Sequence, residues 1–170
     1  LIFKVDDGLM DNTVFSIGFE AKYVFLNTPG GTSIYDKELG SFTPFSKSDG
    51  LAGQTAKCIA SATQAVTQLE NYLHQAVWIG TFGGATRYDL VTDTAMSITR
   101  EDGLAGDKVQ AIRVDGKYIW FGTDSGVSRY DSLTDEWLTF GKAAISSDEE
   151  LSGLISYNIK SLAADDNYIW

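Results

Sequence analysis

Residues 108–114, Lys-Val-Gln-Ala-Ile-Arg-Val, alternate between polar and apolar side chains. A period of two places alternate residues on opposite faces of an extended strand. Asp115-Gly116 follows, a pair suited to a tight hairpin turn. A second apolar-rich run spans 118–123, Ser125-Gly126 turns it, and further strands are expected at 127–131 and 136–140. Asp131 and Thr134 suit a turn between the last two, capped by a side chain. One stretch thus predicts four short antiparallel strands in meander order.

The same pattern recurs along the chain. Residues 24–36 read VFLNTPGGTSIYD, residues 77–89 VWIGTFGGATRYD, and residues 119–131 IWFGTDSGVSRYD. Each run leads with an aromatic residue, Phe25, Trp78 or Trp120, and has a tyrosine ten positions later, Tyr35, Tyr88 or Tyr130. A further apolar residue follows, Phe45, Ile98 or Phe140, and then a turn ending in leucine. These turns are Asp49-Gly50-Leu51, Asp102-Gly103-Leu104 and, after an insertion, Ser152-Gly153-Leu154; Asp7-Gly8-Leu9 stands in register behind Phe3. Trp170 takes the lead-aromatic position of another repeat. Trp78 and Trp120 stand 42 residues apart, the size of one four-stranded propeller blade.

The expected fold is therefore all-β, a run of β-propeller blades. Residues 1–5 are read as the outer strand of a preceding blade. Blades follow at 12–45, at 55–98 with an insertion at 63–74, and at 108–140; an insertion spans 141–151, and 157–170 begins a further blade. Blades crowd near a propeller axis, so inner strands need small residues on the face toward a neighbour. Ser16, Cys58, Ala111 and Ser161 meet that need, while Ile17, Ile59, Ile112 and Leu162 occupy the next position, on the opposite face. Gly31, Gly84 and Gly126 share one register, as expected for turn residues with positive φ. Known rings use roughly four to eight blades, so the remaining blades are expected elsewhere in a longer chain. The rival arrangement is several copies completing one ring.

Composition narrows the partners. The formal charge of −10 opposes nucleic acid and anionic membrane surfaces. No apolar run approaches the ~20 residues of a membrane-spanning helix, so no membrane insertion is expected of this segment. Cys58 is the only cysteine and fills a repeat position held elsewhere by Ser or Ala, which points to steric smallness rather than nucleophilic chemistry. His74 is the only histidine. It follows Val66, Leu69 and Leu73, whose spacing suggests a short amphipathic helix. The acidic runs Asp6-Asp7, Asp148-Glu149-Glu150 and Asp165-Asp166 lack the alternating ligands and glycine of a calcium loop. Asp36, Asp89 and Asp131 read as turn caps before general acids, and Gly30-Gly31 and Gly83-Gly84 lie between strands, unlike a phosphate-binding loop. No catalytic residue, metal site or cofactor is expected.

What remains is a binding face. The turns between second and third strands share one end of the blades with the loops that enter each inner strand. Here the repeats differ: Pro29, Phe82 and Asp124 occupy the turns, and Gln54, Asp107 and Tyr157 precede the inner strands. Variation on a fixed scaffold is how binding surfaces are built. Phe82 and Tyr157 suit stacking on a sugar ring, and Asp107 and Asp124 suit accepting its hydroxyls.

The pattern W-[IF]-G-T-x-x-G-[VA]-x-R-Y-D, followed by D-G-L, resembles the two-component-regulator propeller repeat of bacterial sensor proteins. Phe25 in place of Trp, Asn27 in place of Gly and Ser152 in place of Asp depart from it. The resemblance implies a propeller, usually seven-bladed, lying in the periplasm or outside the cell and coupled to a signalling domain. It implies a non-catalytic region that senses a small-molecule or glycan ligand, carbohydrate in many such sensors. Two other readings stay open: a structural or protein-interaction scaffold of a secreted or cell-surface assembly, and a propeller lyase with its catalytic residues elsewhere.

Overall fold

The repeat folds into three four-stranded antiparallel sheets, each a meander in sequence order. The computed structural model describes residues 2–63, 75–141, 156–164 and 169. The first blade comprises β1 (Ser16–Glu20), β2 (Tyr23–Thr28), β3 (Gly31–Asp36) and β4 (Ser41–Phe45). The second comprises β5 (Ala56–Thr63), β6 (Gln75–Thr81), β7 (Gly84–Asp89) and β8 (Thr94–Ile98). The third comprises β9 (Val109–Asp115), β10 (Tyr118–Thr123), β11 (Gly126–Asp131) and β12 (Glu136–Gly141). Residues 64–74 and 142–155 fall outside the described residues, and with them the expected helix, His74, Leu154, Ser152, the run 148–150 and most of the 141–151 insertion. Asp165, Asp166 and Trp170 fall outside them too.

Consecutive blades meet face to face. Ser16 and Gly18 on β1 turn toward the second blade, and a side chain at Gly18 would lie 2.9 Å from Ile59. Cys58 and Ala62 likewise face the third blade, in one core with Ile112 and Val114. The alternation read from the inner strands is thus an interface rule, small face against bulky face.

The lead aromatics fill the wider part of each wedge. Phe25 is fully buried against Tyr88, with rings 6.2 Å apart, and Trp78 is buried against Phe121 and Tyr130 at 5.3 and 5.5 Å. Trp120 is only half-buried. Among the described residues its ring neighbours come from its own blade: Phe140, stacked at 6.3 Å, and Arg129.

Between blades the Asp-Gly-Leu turns do three jobs. Asp49 and Asp102 each accept the backbone N–H three residues before them, at 2.9 and 2.8 Å, closing a single 3-10 turn. Gly103 adopts φ 127°, where glycine is favoured, and a side chain there would lie 2.5 Å from the Trp137 ring of the next blade. Leu9, Leu51 and Leu104 are buried. The residue after each leucine donates its N–H to a hydroxyl on the next blade's third strand: Met10 to Ser33, Ala52 to Thr86 and Ala105 to Ser128.

The two margins lack such ladders. The expected outer strand at 1–5 is not seen: residues 2–4 form no strand and Val5–Asp7 is a 3-10 turn, yet Phe3 packs on Tyr35 at 4.9 Å as Phe45 packs on Tyr88 at 5.2 Å. Where a fourth inner strand is expected, the described pairing is one isolated bridge, Ala164 with Ile169. Ile159 nevertheless donates its N–H to the Thr123 carbonyl at 2.8 Å and lies close against Gly122.

Candidate ligand-binding face

In a meander, the β2–β3 turn and the connection into the next inner strand lie at the same end of the blade. Buried threonines build these turns. Thr28, Thr81 and Thr123 each donate the hydroxyl to the carbonyl of Gly31, Gly84 or Gly126 and accept the N–H two residues on. The residue between is therefore held outward: Pro29, half-buried; Phe82, 47% exposed; and Asp124, half-buried. Gly31, Gly84 and Gly126 close the turns at φ 134°, 125° and 140°.

The structure brings the candidate residues together in pairs. The Phe82 N–H reaches the Thr55 carbonyl at 3.2 Å, setting Phe82 beside the exposed Gln54. The Asp124 N–H reaches the Lys108 carbonyl at 3.2 Å, setting Asp124 beside the exposed Asp107. Tyr157, half-buried, precedes Asn158 on the segment that packs against the third blade. The Gly84 N–H donates to the Asp107 carbonyl at 2.7 Å, tying the second pair to the turn that holds Phe82; among the described residues no side-chain hydrogen bond or ion pair joins Phe82, Asp124 and Tyr157. Both aspartates already have partners. Asp107 accepts the Arg100 N–H at 2.9 Å, as Asn12 accepts the Val5 N–H at 3.1 Å, so its first duty is to fasten the connecting loop. Asp124 accepts from the Ser125 hydroxyl at 3.2 Å and lies 3.9 Å from the Lys108 ammonium.

Sequence reading missed a second set of residues at this end. The ladder between β5 and β6 slips between Ala56 and Cys58, leaving Lys57 as an unpaired bulge residue. The ladder between β9 and β10 slips between Val109 and Ala111, leaving Gln110 in the same place. A bulge turns its extra side chain away from the regular faces of the sheet. Phe15 and Lys160 hold the same repeat position in the neighbouring units. The four form contacts from blade to blade. The Lys57 ammonium sits 3.8 Å from the centre of the Phe15 ring, and the Lys160 ammonium donates to the Gln110 side-chain oxygen at 2.6 Å. The Gln110 amide in turn donates to the Asn158 side chain at 2.7 Å. The available signal was a position whose identity changes from Phe to Lys to Gln to Lys while the next two positions hold small and then bulky residues.

The reactive groups elsewhere are structural. Burial pushes the Cys58 thiol up to about 12, so it stays protonated at neutral pH; it donates to the Val109 carbonyl at 4.0 Å. Asp36, Asp89 and Asp131 cap the β3–β4-type turns, each accepting backbone N–H groups two or three residues on. Asp7 caps the turn after Lys4. Among the described residues no group of three or more His, Cys, Asp or Glu side chains is placed to hold a metal ion, and no helix is long and apolar enough to cross a membrane. This end of the blades presents rings, amides and ammonium groups on a braced scaffold.

No protein-family model matches the chain, and no curated protein matches it in sequence. Solved structures do match. The extracellular domain of BT4673 of B. thetaiotaomicron, described as a hybrid two-component system, aligns with a TM-score of 0.63 at 17% identity, over 94% of this chain and 21% of that one. The extracellular domain of BT3049 of the same organism, described in the same way, aligns with a TM-score of 0.56 at 22% identity, over 76% of this chain and 17% of that one. The chain thus spans about a fifth of the length of the solved structures it matches. At such identities the likeness is one of fold. With the meander sheets and the interlocking of small and bulky faces, it establishes the chain as consecutive blades of a β-propeller.

Proposed function

We propose that this chain is a non-catalytic, ligand-sensing part of a bacterial receptor exposed outside the cytoplasm, reading a carbohydrate at the blade end that carries Phe82 and the bulge residues. The observation that carries the proposal is the division of labour within each repeat. Positions that pack are kept in type, while Pro29/Phe82/Asp124 and Phe15/Lys57/Gln110/Lys160 change from repeat to repeat, Lys57 and Gln110 on the same bulge. The similar solved structures, extracellular domains of proteins described as hybrid two-component systems, support the same reading and the location it requires. Phe82 and Tyr157 supply rings for stacking on sugar faces; Gln54, Asp107 and Asp124 supply polar contacts around them.

The proposal includes further blades. Ile17 and Phe19 on the outward face of β1 are 53% and 66% exposed, whereas Ile59, the counterpart of Ile17, packs on the core between the first two blades. A preceding blade with a small-residue inner strand would cover them as Gly18 covers Ile59, and it is assigned to the same polypeptide.

Calorimetric titration against a panel of oligosaccharides tests the function. Binding is expected, and Phe82→Ala is expected to weaken it at least several-fold with an unchanged melting temperature. Absence of binding across neutral and charged glycans would overturn the proposal.

One observation favours a scaffold instead. At the opposite end, Leu39, Val91 and Leu133 stand 75%, 69% and 65% exposed on three consecutive β3–β4-type turns, a row of aliphatic side chains suited to a protein partner. A stable protein complex lost in Leu39→Ser/Val91→Ser/Leu133→Ser, without glycan binding, would support that reading.

A further inference from the structure

The bulge residues carry a charge pattern opposed to that of the whole chain. The formal charge is −10, yet two of the four equivalent repeat positions, Phe15, Lys57, Gln110 and Lys160, hold lysine. Lys22 and Lys117 elsewhere sit on aspartates, at 2.9 and 2.6 Å. Lys57 and Lys160 do not. Among the described residues neither has a carboxylate within ion-pair distance, and each rests on a neutral group of the adjoining blade, the Phe15 ring or the Gln110 side-chain oxygen. The neighbouring aspartates are otherwise committed: Asp107 holds the Arg100 N–H, and Asp124 faces Lys108.

Among the described lysines without a carboxylate partner, Lys57 and Lys160 are the two whose ammonium rests on a neutral side chain of an adjoining blade. Here the bulge at Lys57 turns the residue out of the ladder, away from the acidic hairpins at the far end of the blade. A ring face and an amide oxygen hold an ammonium less strongly than a carboxylate does, so both lysines can be drawn away by an anion. Release of Lys57 would also uncover the Phe15 ring, which is 39% exposed with the lysine over it.

We propose that the ligand read at this end is an acidic glycan with more than one charged group, one carboxylate or sulfate taken by Lys57 and another by Lys160, while a sugar face stacks on Phe15. Gln110 and Asn158, already linked at 2.7 Å, turn toward ring hydroxyls once Lys160 leaves the Gln110 oxygen. This inference rests on the ligand-sensing reading above and adds the charge class of the ligand.

The test is calorimetric titration of the whole chain with three probes of equal length: α-1,4-linked trigalacturonate, its fully methyl-esterified form, and a sulfated neutral trisaccharide. Esterification removes charge while keeping size and linkage. The expected result is binding of the carboxylate or the sulfate probe at least tenfold tighter than the ester, the two anionic arms separating the sources of charge. Lys57→Met and Lys160→Met should each lose about tenfold for the preferred anion, corresponding to ~1.4 kcal/mol. Both should lower the ratio of anion to ester affinity, and Lys57→Arg should recover most of the loss. An unchanged melting temperature shows that the variants fold. Equal binding of ester and acid, or variants that bind the anion like the parent, would overturn the charge assignment and leave glycan sensing standing. Absence of binding by all three, together with the wider panel, would remove both.

Discussion

At the scale of single residues, Asn27 shows how a repeat tolerates a departure from its own pattern. Gly80 and Gly122 hold the same position because side chains there would lie 2.7 Å from Val109 and from Ile159 of the following units. In the first blade the opposing repeat position holds Ala56, and Asn27 uses the space. Fully buried, it donates to the Ser16 hydroxyl at 3.1 Å and to the Cys58 carbonyl of the next blade at 2.9 Å, and accepts from Thr32 at 2.7 Å. Asn27→Gly therefore restores the residue of the sister repeats and yet is expected to destabilise. It leaves Thr32 without its acceptor and the Cys58 carbonyl without this donor, at a cost of ~1–3 kcal/mol measured by denaturant unfolding. A neutral or stabilising result would show that the inter-blade bond contributes nothing. Trp78→Ala belongs at the same scale. It empties a site closed by Phe121 and Tyr130, so a loss of ~3–5 kcal/mol is expected, whereas Trp120→Ala should cost less because Trp120 is only half-buried.

At the scale of elements, the hairpins joining third and fourth strands contribute to the acid sensitivity of the fold, beside Asp49, which Ser46 holds below its usual range. The side-chain contact with Lys117 holds the Asp131 carboxyl below its usual range, and Lys22 does the same for Asp36; backbone N–H groups add to both. A group whose pKa is lower in the folded than in the unfolded chain contributes stability above the unfolded value, ~3.9 for aspartate, and loses it as pH falls further. Lys22 and Lys117 are shifted upward by the same contacts, so their contribution is full below the ordinary lysine value and fades on the alkaline side. Melting temperature should hold between these limits and fall below about pH 4. Asp131→Asn should lower the neutral-pH value and flatten the acid limb; an acid limb as steep as the parent's would show that these hairpins are not its source. These turns were legible in the sequence, since Asp36, Asp89 and Asp131 recur in register. The Asp-Gly-Leu segments were legible as turns, but the backbone bond that follows each leucine was not. A contact from Ala105 to Ser128 joins residues 23 positions apart and depends on how two blades dock.

At the scale of the molecule, the fold could be read in advance because one rule repeats. Lead aromatic, turn glycine, tyrosine and leucine return in the same order, with small and bulky inner-strand positions on opposite faces each time. The candidate site was legible only in part. Phe82 and Asp124 stand at turn tips that any repeat alignment exposes. Lys57 and Gln110 do not, because a bulge is a slip between two ladders and leaves no residue signature of its own. Their alignment with Phe15 and Lys160 becomes informative only once the inner strands are paired. The two ends of the blades then divide into a polar and aromatic end, where the repeats differ, and an opposite end of salt-bridged hairpins with exposed aliphatic tips.

The central claim is that the first of these ends receives the ligand. The most direct measurement is the backbone amide spectrum of the chain, recorded with and without the glycan that binds most tightly. The account predicts shifts concentrated at Phe15, Lys57, Gln110 and Lys160 and at the turns holding Phe82 and Asp124, with the hairpins at 37–40, 90–93 and 132–135 unmoved. Shifts centred on those hairpins, or on the outward face of β1 at Ile17 and Phe19, would contradict it.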